Sequence, residues 1–141
     1  MIGLTTAVSG MQAAERRVDA SASNIVNAFD TVPHREPVKP IGGLSGASGV
    51  GDGLYQPVDV WQSTQEGGGT KAQYIGRDPS RTTEPAPGDP RANDQGLVDR
   101  PNVDFANEFV NVIEAQHAYE AAVKAVQTRD QMLGTTIDAR S

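Results

Sequence analysis

The side chains that could carry chemistry are few and scattered. There are two histidines, His34 beside Pro33 and Pro37, and His117 within a long helical pattern. A histidine can serve as general base or metal ligand. These two lie far apart in the chain and no cysteine accompanies them, so His117 reads as a surface or interface residue. The run Gly67-Gly68-Gly69-Thr70-Lys71 has the composition of a phosphate-cradling loop but lacks the P-loop spacing and the helix that must follow it. The acids Glu84, Asp89, Asp94 and Asp99 do not match an EF-hand loop and read as turn-forming and solvating residues. No catalytic residue, cofactor site or metal site is assigned, no cofactor is expected, and the chain reads as non-enzymatic.

The elements that would have to position any site lie at the two ends. In the C-terminal forty residues, Phe105, Val112, Tyr119, Val126 and Leu133 recur every seven positions, with Phe109, Gln116, Val123, Asp130 and Ile137 on a stripe offset by four. One full apolar row and one mixed row predict a long helix with a heptad seam. Asn102 or Asp104 can cap its start, because a short polar side chain accepts hydrogen bonds from the free N–H groups of the first turn. Acids come early and bases late along it, as the helix dipole favours. Gly134-Thr135-Thr136 should weaken its end. Residues 2–28 predict a second helix, with Leu4, Met11, Val18 and Ile25 spaced by sevens. Its other faces carry small residues more often than charged ones, which suits a helix enclosed by neighbours.

Between the helices the chain turns Gly- and Pro-rich. Asn24, Asn27 and Asp30 should bring the first helix to its end, and Pro33 keeps Val32 extended. Residues 33–53 read as a loop or linker. Leu54 to Gln62 is the best strand candidate, and Lys71 to Arg77 could pair with it across a turn at Glu66–Thr70. Residues 78–101 read as irregular. The 141 residues hold 15 Gly and 9 Pro, with 37% hydrophobic and 5% aromatic residues. That composition predicts a small core. The net charge is −6 and no basic patch stands out, so nucleic acid is not an expected partner. The uncharged N-terminal stretch Met1 to Ala14 is too short and too rich in Thr, Ser and Gly to span a membrane. It has no basic leader, so a cleaved signal peptide is not expected.

Three segments together resemble the flagellar basal-body rod proteins, in particular the small members of the proximal rod. The first is Ala22-Ser23-Asn24-Ile25-Val26-Asn27-Ala28, similar to the signature that closes the family's N-terminal helix. The second, from Pro87-Gly88-Asp89-Pro90 through Asn93-Asp94-Gln95-Gly96-Leu97-Val98, is similar to the turn before its last helix. The third is Pro101-Asn102-Val103-Asp104 with Glu108, Val110-Asn111, Ile113 and Ala118-Tyr119-Glu120-Ala121, similar to that helix itself.

The resemblance implies a mainly α subunit. Its N-terminal helix (residues 1–29) and C-terminal helix (residues 102–141) would pair as an antiparallel coiled coil, around an irregular or β-hairpin centre (residues 30–101). It also implies a self-assembling structural subunit of the proximal rod, in the periplasm, that transmits torque and lines the export channel. Such a subunit would be exported by the flagellar type III apparatus without a cleaved signal. Expected partners are other rod proteins, further copies of the chain, and membrane-ring and hook-basal-body proteins at the rod base. The expected assembly interface is Leu4, Met11, Val18 and Ile25 on one helix and Phe105, Phe109, Val112, Tyr119, Val126 and Leu133 on the other. Two rivals differ in kind: a coiled-coil adaptor or secretion component unrelated to flagella, and a small ligand-binding domain or enzyme using the Gly-rich centre.

Overall fold

The computed structural model describes residues 2–35 and 53–138; most of the linker expected at 33–53 lies outside them. In chain order the elements are α1 (Ile2–Asn27), β1 (Val32–Pro33), β2 (Val58–Thr64), β3 (Thr70–Gly76), β4 (Arg81–Pro85), β5 (Leu97–Pro101) and α2 (Phe105–Asp138). Asp104 caps α2: its carboxylate accepts from the backbone N–H groups of Ala106 at 2.9 Å and Asn107 at 3.3 Å. The helix continues through Gly134 and the threonines to Asp138. The Thr135 hydroxyl donates to the Gln131 carbonyl one turn back.

The two helices lie antiparallel, and residues seven apart mark the line between them. A Cβ built on Gly3 would press on the Arg129 guanidinium, and one on Gly10 would sit 3.9 Å from Ala122 Cβ. Arg17 pairs with Glu114 at 2.8 Å, and Asn24 bonds Glu108 at 2.9 Å. The row of α1 turned toward α2 is therefore Gly3, Gly10, Arg17 and Asn24. Along α2 the corresponding row is Glu108, Ala115, Ala122 and Arg129, of which Glu108 and Ala115 are fully buried. Small and polar residues meet along this line, where a coiled coil requires interlocking apolar knobs.

This corrects the expected architecture on two counts. The helices do not form the expected coiled coil, because the apolar rows are turned off the facing rows, by about 100° for the Leu4 and Phe109 rows and about 60° for the Phe105 row. The chain is also not mainly α with an irregular or β-hairpin centre: the expected hairpin is present, but five strands form two antiparallel sheets. In the first, β2 and β3 make the hairpin, in register from Val58↔Gly76 to Thr64↔Thr70. Its turn uses Gly67, Gly68 and Gly69, all at positive φ, which glycine adopts without a Cβ clash. In the second sheet, order β1-β5-β4, Val32 pairs with Asp99 and Arg81 with Pro101.

The second sheet falls within the stretch that composition marks as irregular. Its strands are short, and Pro85 and Pro101 stand at their ends, where a missing N–H costs little. The β4–β5 connection is held by its own polar groups: the Asn93 side chain accepts from the N–H groups of Gln95 and Leu97, each at 2.9 Å. The Asp89 carboxylate accepts from the Arg91 N–H at 2.8 Å, which holds its pKa below the usual carboxylate range.

Candidate assembly interface

Three adjacent rows of α1, each spaced by sevens, divide its surroundings. One position before the facing row stand Ser9, Arg16 and Ser23, and all three are bonded to the hairpin or to the residues leading into it. The Ser9 hydroxyl accepts from the Thr70 N–H at 3.0 Å, Arg16 donates to the Ala72 carbonyl, and the Ser23 and Tyr55 hydroxyls share a hydrogen bond at 2.9 Å. The Arg16 guanidinium also lies 6.0 Å over the Tyr74 ring. One position after the facing row stand Leu4, Met11, Val18 and Ile25. In an antiparallel pair the matching offset row of α2, which begins at Phe109, falls on the same side. Among the described residues, α2 and the hairpin are the elements packed extensively on α1, so this side is left open.

The expected interface residues divide accordingly. Leu4 is 43% exposed and Phe109 55%. Tyr119 and Leu133 are also exposed, while Met11, Val18, Ile25, Phe105, Val112 and Val126 are half-buried. Val8, Val26, Phe29, Val110, Ile113 and Met132 add exposed apolar area not among the expected residues. Phe29, Phe105 and Phe109, the chain's three phenylalanines, gather at one end of the helix pair, with the Phe29 and Phe105 rings 5.0 Å apart. Contiguous water-facing apolar surface marks contact sites, which makes the open side carrying the Leu4 and Phe109 rows the candidate.

The polar residues that the periodicity did not single out form the joint between helices and hairpin. Asn24, read from sequence as a helix-ending residue, lies inside α1 and is completely buried. Its amide donates to the Val58 carbonyl and to Glu108, both at 2.9 Å, and its carbonyl accepts from the Val58 N–H at 3.0 Å and the Tyr55 hydroxyl at 3.0 Å. Glu108 also accepts from Arg77 at 2.7 Å. Arg77 bonds Asp59 and the Asn102 carbonyl as well. Asp59 first, then Glu108, raise the Arg77 pKa above the usual arginine value against the cost of burial. The sequence signal for this joint was Asn24 within the segment closing α1 and Glu108 within the segment opening α2. Arg77 and Asp59 carried none.

A second polar cluster sits in the three-stranded sheet. Buried Asp99 accepts from Thr83 at 2.7 Å, stands 2.7 Å from His34 Nδ1 and reaches Arg81 at 3.4 Å. Thr83 and Asp99 approach the same His34 nitrogen, at 3.3 and 2.7 Å. A hydroxyl–imidazole–carboxylate relay needs them on opposite nitrogens, so this cluster is a strand clasp. The glycine turn at Gly67–Gly69 joins two strands and opens no helix, so it is not a phosphate loop. Among the described residues, no group of three or more His, Asp or Glu could hold a metal, and no helix is long and apolar enough to cross a membrane.

Comparison with known proteins gives the same two ends. Residues 4–32 match the family model described as flagella basal body rod protein, and residues 94–139 match that of the flagellar basal body rod FlgEFG protein C-terminal region. The flagellar basal-body rod protein FlgC of Yersinia enterocolitica is 33% identical over 131 residues, covering 92% of this chain and 89% of the relative. The FlgC proteins of Salmonella typhimurium and Bacillus subtilis are each 30% identical, over 130 and 140 residues, covering 92% of this chain and 89% and 91% of their own lengths.

Proposed function

The chain belongs to the flagellar basal-body rod protein family and is a structural subunit of that rod; from this premise we infer that it builds the proximal rod by presenting the open apolar rows of α1 and α2 to neighbouring subunits. The observation that carries the reading is the inverted distribution of side chains. Asn24 and Glu108 are buried between the elements, while Leu4, Phe109, Ile113 and Leu133 face water. Burying an aliphatic or aromatic side chain contributes roughly 1.5–3 kcal/mol. A row of them left uncovered in a single subunit is free energy available to assembly.

On this reading the neighbours are further rod subunits and further copies of the chain, with membrane-ring and hook-basal-body proteins at the rod base. The assembled helices would enclose the export channel and carry torque across the periplasm. The subunit would reach the rod through the flagellar export apparatus without a cleaved signal. A density map of isolated basal bodies in which this chain is traced tests the reading. Leu4, Val18, Ile25 and Phe109 should lie against side chains of other subunits in the proximal rod. A traced chain with these residues facing solvent, or absent from the rod, would overturn it.

A further inference from the structure

The facing rows of the helix pair do not by themselves choose how far one helix slides along the other. Gly3 and Gly10 repeat at seven residues on α1, and Ala115 and Ala122 repeat at seven on α2. Sliding α2 by seven residues would set Gly10 opposite Ala115 and Gly3 opposite Ala122, preserving small-against-small contact. The same slide would bring Arg17 opposite Glu108, a favourable charge pair. Close packing and simple charge attraction are therefore satisfied in two registers.

Only one position on the line tells the two registers apart by chemistry. Asn24 has no exposed surface and uses both ends of its amide on the Val58 backbone while donating to Glu108. Glu108, 1% exposed, is tied in turn to Arg77 on the residue that follows β3. In the slid register Asn24 would stand beyond the start of α2 at Phe105, with no residue of that helix opposite it. Asn24 would lose Glu108, and Glu108 would leave Arg77. Unpaired buried polar groups are costly, and a single buried polar residue is an established means of fixing helix register.

We propose that Asn24 and Glu108 set the register of α1 against α2, and so decide which apolar rows of the two helices lie side by side for a neighbouring subunit to bind. The consequence for assembly rests on the rod reading; the register itself does not. The β1–β5 pairing acts in the same direction, but β1 has two residues and one of them is Pro33.

The chain has no cysteine, so introduced pairs report register cleanly. In the purified full-length protein, Gly10→Cys with Ala122→Cys places two Cβ atoms at the 3.9 Å found for the native register, within the span a disulfide bridges. Gly10→Cys with Ala115→Cys reports the slid one. With Asn24 and Glu108 intact, the first pair should oxidise to a cross-link and the second should not. Asn24→Ala and Glu108→Leu should each lose most of the native cross-link and gain the slid one. Glu108→Gln keeps the acceptor for Asn24 and should keep the native pattern. An undiminished native cross-link in both Asn24→Ala and Glu108→Leu would assign register to the remaining ties, the β1–β5 pairing and the Arg77 bond to the Asn102 carbonyl among them, and overturn the proposal. Loss of both cross-links together with the helical circular dichroism signal would assign the joint to stability alone and overturn it equally. The readout is made on the purified chain, so it stands whether or not that chain enters a rod.

Discussion

On the hairpin side of α1, Ser9, Arg16, Ser23 and Asn24 make hydrogen bonds to β2, β3 and the residues leading into them. On the opposite side, Leu4, Met11, Val18 and Ile25 present aliphatic side chains to a face that no described element covers. A domain that folds for itself reverses this, with apolar residues inside and polar ones outside. Here the subunit spends directional bonds and close backbone approach on its own joints and leaves many of its large apolar side chains at least partly outside. Hydrogen bonds contribute modestly to net stability but specify geometry sharply. Apolar contact is strong and tolerant of direction. A subunit that must hold a defined shape alone and bind neighbours over a long surface is well served by that division.

The division can be broken or sharpened by substitutions ranked by their effect on the isolated chain. The largest effect is expected at the joint. Glu108→Leu leaves Asn24 and Arg77 without their shared acceptor, although Arg77 keeps Asp59, and each hydrogen bond lost to the buried carboxylate costs about 1.5–3 kcal/mol. Chemical denaturation of the full-length protein measures it. A loss no greater than about 1 kcal/mol, the worth of an ordinary hydrogen bond, would erase the contrast between the two sides.

A smaller loss is expected where the hairpin tip meets α1. Gly69 has φ of +104°, and a Cβ there would stand 2.7 Å from the Ser9 hydroxyl. Gly69→Ala should therefore cost about 1–3 kcal/mol in backbone strain and displaced contact, read in the same titration. An unchanged midpoint would show that the tip is not seated on α1.

The facing row predicts the opposite sign. A Cβ on Gly10 meets Ala122 at ordinary van der Waals distance, and Gly10 has negative φ inside a helix. Gly10→Ala should raise stability by up to about 1 kcal/mol through helix propensity. A loss instead would mean that the helices need to approach more closely than this.

The smallest effect on the isolated chain is expected on the open side, and it should carry the largest effect in the cell. Leu4→Asp and Phe109→Asp should each stay within about 0.5 kcal/mol of the parent, as exposed substitutions do. Cells carrying either should export the subunit yet fail to swim, because a carboxylate would be buried unpaired when a neighbour closes over it. Swimming at the parental rate with a stable, exported variant would remove these residues from the assembly surface.

Much of this architecture was legible in the sequence by itself. Periodicity at sevens placed both helices to within a few residues, Asn102 or Asp104 marked the start of α2, and two strand-like runs across the turn at Glu66–Thr70 marked the hairpin. Local chemistry suffices for such features, because helix spacing, capping and positive φ are decided within a few residues of chain. The side of each helix that faces its partner was decided only by the tertiary structure. Leu4, Met11, Val18 and Ile25 form the evident apolar row, yet Gly3, Gly10, Arg17 and Asn24 face α2, because glycine and alanine let two helix backbones approach while leucine holds them apart. Nor could the sequence join β1, β5 and β4, strands of two and five residues drawn from distant parts of a Pro- and Gly-rich stretch. Their pairing depends on Asp99 finding His34, Thr83 and Arg81, three residues that no local pattern connects. The joint of Asn24, Glu108, Arg77 and Asp59 is of the same kind: each is an ordinary polar residue along the chain. They become a single structural element only when two helix ends and the base of the hairpin meet out of water.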